Sequence, residues 1–180
     1  MDKLCKANNT CLIADEVQSG IGRTGTLYAY QKYNIKPEII TMAKGMGNGF
    51  PVGGILVKSA IKAKYGMLGT TFGGNHLACT ASLAVLEILK KDKLQQRAKE
   101  MEVYFRNQAK KIQGAKIKGR GLMLGLEFDF EVGPLRKKLI YEKKIFTGGS
   151  SNKNVLRILP PLTVQKEHFD QLFDALEELL

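Results

Sequence analysis

Two charged residues follow short apolar runs near the start of the chain. Asp15 closes the run Cys11-Leu12-Ile13-Ala14, and Lys44 closes Ile39-Ile40-Thr41-Met42-Ala43. A carboxylate so placed can hold a proton or a cation, whereas an amine can attack a carbonyl carbon and later carry a proton. Read alone, LIADE also fits the magnesium-holding strand of a P-loop nucleotide hydrolase. The phosphate-binding pattern GxxxxGK[ST] does not occur in the 180 residues, and that reading leaves Lys44 without a task. The glycines of Gly45-Met46-Gly47-Asn48-Gly49 would let the backbone approach a flat ligand closely. Because Phe50 and Val52 stand where a GxGxxG pattern needs its third glycine, a dinucleotide fold is disfavoured. Burial and a nearby cationic ring at Lys44 would favour a neutral, nucleophilic amine. A lysine in a Gly-rich loop is by default a solvated side chain, so the weight falls on the pair. A pyridine cofactor is an electron sink only while its ring nitrogen is protonated, which needs a carboxylate, and its aldehyde carbon needs the lysine. Two neighbouring strand ends can supply both groups at the width of one ring.

The elements that must position this pair are legible in outline. Residues 11–14 and 38–43 read as buried strands, separated by a Gly-rich loop over 19–25 and a short helix over 27–33. Residues 55–57 suggest a third strand, and 66–75 a loop. From His76 to Lys91 the apolar residues Leu77, Ala81, Ala84, Val85, Ile88 and Leu89 recur at helical spacing. Asp92 is then expected to N-cap a second helix running to about residue 112. This alternation implies an α/β unit with a mostly parallel sheet, whose ligands sit at the carboxyl ends of the strands. Beyond Gly114 the signals change to strands at 115–117, 122–130 and 155–159 with helices at 135–143 and 165–180, a small α+β unit. The expected division is 1–92 and 93–180.

Composition narrows the class. The 28 basic and 17 acidic residues give a net charge of +11, yet the lysines occur as short pairs beside glutamates with no aromatic interleaving, which argues against nucleic-acid binding. No apolar run reaches the roughly 20 residues needed to span a bilayer, so no membrane partner and a cytoplasmic address are expected. Cys5, Cys11 and Cys79 form no CxxC pair and are expected to be small apolar fillers; no metal site is expected. His76 and His168 are expected at packing or surface positions, and Arg23 to anchor its loop. Arg157 interrupts an apolar strand, where a guanidinium is costly unless an anion meets it or the strand face turns it to solvent.

Four segments, DEVQSGIGRTG (15–25), IKPEIITMAKGMGNGFPVGG (35–54), GTTFGGNHLAC (69–79) and NVLRILPPLTV (154–164), together resemble the class III aminotransferases. The likeness is greatest to the branch acting on N-acetylornithine and related ornithine derivatives. It implies the C-terminal part of a large domain of the type I fold that binds pyridoxal 5'-phosphate, followed by a small C-terminal domain. Lys44 then matches the lysine that holds the cofactor as a Schiff base, and Asp15 the acid paired with the ring nitrogen. Val17 matches a residue packed on a ring face, and Gln18 one bonded near the phenolic oxygen. Thr71 corresponds to the threonine that binds the phosphate of a neighbouring subunit, implying a homodimer with shared active sites. Arg157 corresponds to the arginine that grips a substrate carboxylate. The implied reaction moves a terminal amino group to 2-oxoglutarate in arginine biosynthesis. The family's phosphate cradle and the aromatic residue on the other ring face precede the aspartate strand, so a truncated, weakly active or inactive piece is expected. A non-catalytic dimerisation module and, more remotely, a P-loop fragment remain as alternatives.

Overall fold

In a computed structural model the chain is α/β, and residues 1–67 and 69–180 are described. The loop expected over 66–75 includes position 68, which lies outside them. Two compact units form, one of Met1–Gly22 with Thr26–Lys93, the other of Arg23–Gly25 with Leu94–Leu180.

In the first unit a short helix α1 (Asp2–Ala7) precedes strand β1 (Ile13–Asp15), which pairs in parallel with β2 (Ile39–Met42); Asp15 stands opposite Thr41. Strand β3 (Gly54–Val57) returns antiparallel to β2, with Met42 opposite Gly54. The mostly parallel sheet expected from the helix–strand alternation is therefore half parallel among these strands. A parallel neighbour needs a crossover of a dozen or more residues. The chain between β2 and β3 has only a 3-10 turn, Lys44–Met46, in a Gly-rich loop. The small core comprises Ile21, Tyr28, Ile40 and Met42, with Ala14, Leu27, Tyr30, Met46 and Val85 against it.

The spacing-based helix forms as α2 (His76–Lys91), capped by the Asn75 side chain, which accepts from the Ala78 N–H at 3.0 Å. Its expected apolar face is only partly covered: Leu89 is buried, but Leu77 and Ile88 are 71% and 51% exposed. Three short strands offer too little apolar surface to cover a four-turn helix, and α2 reaches the small core through Val85. Asp92 closes α2 instead of opening the next helix, its N–H donating to the Ile88 carbonyl. Lys93 then reverses the chain at φ +50°. The cysteines are free, with Cys11 and Cys79 exposed, so these two are not apolar fillers.

The second unit opens with α3 (Leu94–Ala109), followed by an antiparallel meander of β4 (Lys116–Arg120), β5 (Met123–Glu127) and β6 (Val155–Ile158). Helices α4 (Gly133–Tyr141) and α5 (Lys166–Leu179) complete it. Leu124, Leu126, Leu156 and Ile158 alternate inward from β5 and β6, while Phe169, Leu172, Phe173 and Leu176 line one face of α5. Phe105 sits between the rings of Phe169 and Phe173, at centroid distances of 5.3 and 5.1 Å, and is fully buried. Phe105→Ala is expected to destabilise this unit by about 3–5 kcal/mol, through lost burial and the cavity left behind. Urea unfolding followed by circular dichroism would read this as a lower midpoint.

Candidate functional site

Asp15 is the last residue of β1 and is exposed at the carboxyl end of the parallel pair. Its Oδ1 accepts hydrogen bonds from the Val17 N–H at 3.0 Å and the Thr41 hydroxyl at 3.1 Å. Because Thr41 is its register partner, one carboxylate oxygen is tied both to β2 and to the turn that follows β1. No described residue is seen donating to Oδ2, so this oxygen can accept a hydrogen bond from a ligand. Val17 and Gln18 follow, both half-buried.

Glu16, which the sequence reading passed over, holds this turn. Its carboxylate is 3% exposed and accepts from the Ser19 hydroxyl at 2.6 Å and from the backbone N–H groups of Ala29 and Tyr30 at 2.9 and 2.7 Å. It thereby supplies acceptors for the first N–H groups of the 3-10 turn Ala29–Lys32. A buried carboxylate needs such donors. The available signal was an acid two residues after a strand's last apolar position, with a short helix within reach.

Lys44 begins the turn just past β2, at the same end of the sheet as Asp15. Strand spacing plus three further residues puts its Cα within about 15 Å of the Asp15 Cα. The residue is exposed, so the burial expected at this lysine is not provided by the chain itself. Its backbone is unusual, with φ +46°. The left-handed region costs a side-chain-bearing residue about 1–2 kcal/mol, and such outliers cluster at active sites. Ile21, also at φ +52° and buried, lies over the neighbouring glycine: a Cβ added at Gly45 would stand 3.6 Å from the Ile21 Cβ. Thr71 is exposed in the loop before Asn75. Asp15, Val17, Gln18, Lys44 and Thr71 thus all belong to the first unit.

Arg157 belongs to the second, in β6. Its neighbours across both strand pairings are glycines: Gly125 in β5, and Gly148 through an isolated bridge. A Cβ added at Gly148 would come within 2.7 Å of Arg157 Nε, so the absent side chain makes room for the guanidinium. The residue is half-buried, and Nε is buried without a hydrogen-bond partner. A desolvated N–H donor in that condition suits a carboxylate better than an apolar ligand. Nearby in the chain, Arg136 Nε and Thr147 Oγ1 are likewise buried without partners; nothing in the sequence pattern marked them. His168 is exposed and its Nδ1 accepts from the Gln165 N–H at 3.2 Å, a helix-capping role. No described helix is long and apolar enough to cross a membrane, and no group of three or more His, Cys, Asp or Glu among the described residues could hold a metal.

Known proteins resemble this chain along its length. Acetylornithine aminotransferase of Aquifex aeolicus (strain VF5) is 44% identical over 100% of this chain and 47% of its own length. That of Methanocaldococcus jannaschii is 43% identical over 98% of the chain and 46% of its own. Among solved structures, acetylornithine aminotransferase from Elizabethkingia anophelis superposes with a TM-score of 0.86 at 30% identity, covering 99% of this chain and 47% of that one. Ornithine aminotransferase from Toxoplasma gondii ME49 gives 0.88 at 30% identity, over 98% and 44%. The chain therefore spans about half the length of the curated relatives it matches. The family described as aminotransferase class-III matches residues 1–180, so the chain belongs to the class III aminotransferases, which use pyridoxal phosphate.

Proposed function

We propose that the protein works in pyridoxal-phosphate-dependent transamination, moving the terminal amino group of N-acetylornithine, or a related ornithine derivative, to 2-oxoglutarate in arginine biosynthesis. One observation carries the reading: a strand-end carboxylate with a free oxygen shares one end of one sheet with a lysine in a strained turn. The names of the relatives supply the substrate class. When bound, the cofactor supplies an electron sink for charge developing on the substrate carbon next to nitrogen.

Asp15 Oδ2 would accept from the cofactor's ring N–H and favour its protonated form. Lys44 Nζ would hold the cofactor and, as a free amine, would take up the proton that leaves the substrate carbon and return it in the second half of the reaction. Val17 would pack on the ring and Gln18 would hydrogen-bond to the cofactor. Thr71 binds the phosphate of the second subunit, so the active form is a homodimer with shared sites. A cytoplasmic location fits three free thiols.

Arg157 orients a substrate carboxylate through its fork of N–H donors. Arg157→Met is expected to raise KM for 2-oxoglutarate about ten- to a hundredfold, the loss of one hydrogen-bonded charge. Initial rates at varied acceptor concentration decide it, and an unchanged KM would remove the residue from the substrate site.

The central test mixes protein with pyridoxal phosphate, reduces with borohydride and maps the modified peptide. The label is expected on Lys44; a label on any other lysine would overturn the assignment. A second reading, a non-catalytic assembly module, draws on the exposed apolar side chains of Ile55, Leu56 and Leu77. Failure to retain cofactor alongside self-association would favour it.

A further inference from the structure

Arg23 lies in the loop that follows Asp15, yet it packs entirely with the second unit. Its Nη1 donates to the Leu122 carbonyl at 3.3 Å and, more closely, to the Pro160 carbonyl. Its own carbonyl accepts from the Leu122 N–H at 2.9 Å. The position of these two acceptors is informative. Leu124 faces Ile158 across β5 and β6, so two residues further out Leu122 faces Pro160. Proline has no N–H, and the ladder cannot continue there. The guanidinium meets both carbonyls at that point and stands in for the missing rung.

The fit is tight on every side. A Cβ at Gly121 would lie 2.5 Å from the Thr24 Cα and carbonyl carbon and 2.6 Å from the Arg23 oxygen, and one at Gly25 would lie 2.7 Å from Lys99 Cγ. Burial pushes the guanidinium below its ordinary value, while arginine keeps its charge in proteins. A half-buried cation held on two carbonyls is a costly way to end a ladder unless the end must be fixed.

We propose that Arg23 is a positioning residue whose guanidinium serves as the terminal rung of the β5–β6 ladder and fixes Arg157, three residues before Pro160, for carboxylate recognition. The proposal rests on the reading of Arg157 given above. In transamination assays with varied 2-oxoglutarate, Arg23→Met is expected to raise KM about tenfold with kcat changed less than about threefold, and Arg23→Lys to restore most of the loss. Amide hydrogen exchange is expected to quicken about tenfold over 122–127 and 155–160 and to stay unchanged over 13–15 and 39–42. Unchanged KM and exchange in Arg23→Met, or a fall in kcat with faster exchange throughout, overturns the proposal. If Arg157→Met also leaves KM unchanged, the carboxylate reading fails and this proposal with it; if only Arg157→Met raises KM, the proposal alone fails.

Discussion

Lys44→Ala is expected to abolish borohydride-fixed cofactor and to lower transamination by at least about 10⁴-fold. The lysine carries two tasks, covalent attachment and proton transfer, and a positioned acid–base group alone contributes about 10²–10⁴-fold. The fold should be indifferent to this change. Lys44 is exposed, and alanine has the same Cβ, so the left-handed backbone at φ +46° is as unfavourable to it as to lysine. Lys44→Gly makes the argument sharper. Glycine enters that region without the steric penalty, so this variant is expected to be equally inactive yet more stable, by about 1 kcal/mol. Thermal unfolding beside the assay reads both effects. A Lys44→Gly protein that melts lower would show that the turn is not strained, and one that retains the label would show that another lysine is the nucleophile.

Why some features were legible and others not follows from how far each depends on distant chain. The helix His76–Lys91 and the strand ends at Asp15 and near Lys44 are local patterns of period and punctuation, and they form where the pattern puts them. Asp92 shows the limit of local reading: the same side chain suits the end of one helix or the start of the next, and the choice fell to Lys93 reversing the chain. Antiparallel pairing of β3 depended on the Gly-rich connection forming no crossover helix. Arg23 was the least legible, because its partners, Leu122 and Pro160, are 99 and 137 residues away. The glycine slot around Arg157 likewise needs β5, β6 and the bridged Gly148 aligned, and no single segment encodes it.

Asp15→Asn should separate what the carboxylate does for structure from what it does for chemistry. Asparagine keeps the shape, and its carbonyl oxygen can still accept from the Val17 N–H and the Thr41 hydroxyl, the two bonds that fix the side chain to the turn after β1 and to β2. The other oxygen becomes an NH₂ group, a donor where an acceptor is required. A ring nitrogen facing a donor is no longer held protonated, and the electron sink weakens. Loss of one preorganised charged partner of this kind costs about 2.7–4 kcal/mol, a hundred- to thousandfold in kcat. Melting temperature and borohydride labelling at Lys44 are expected to hold, because neither depends on the ring proton. A cofactor analogue methylated on the ring nitrogen carries its positive charge without a proton, and should narrow the gap between Asp15→Asn and the native protein. If native and Asp15→Asn proteins had equal kcat, or if the methylated analogue restored nothing, Asp15 would be a strand-end residue with no part in the electron sink.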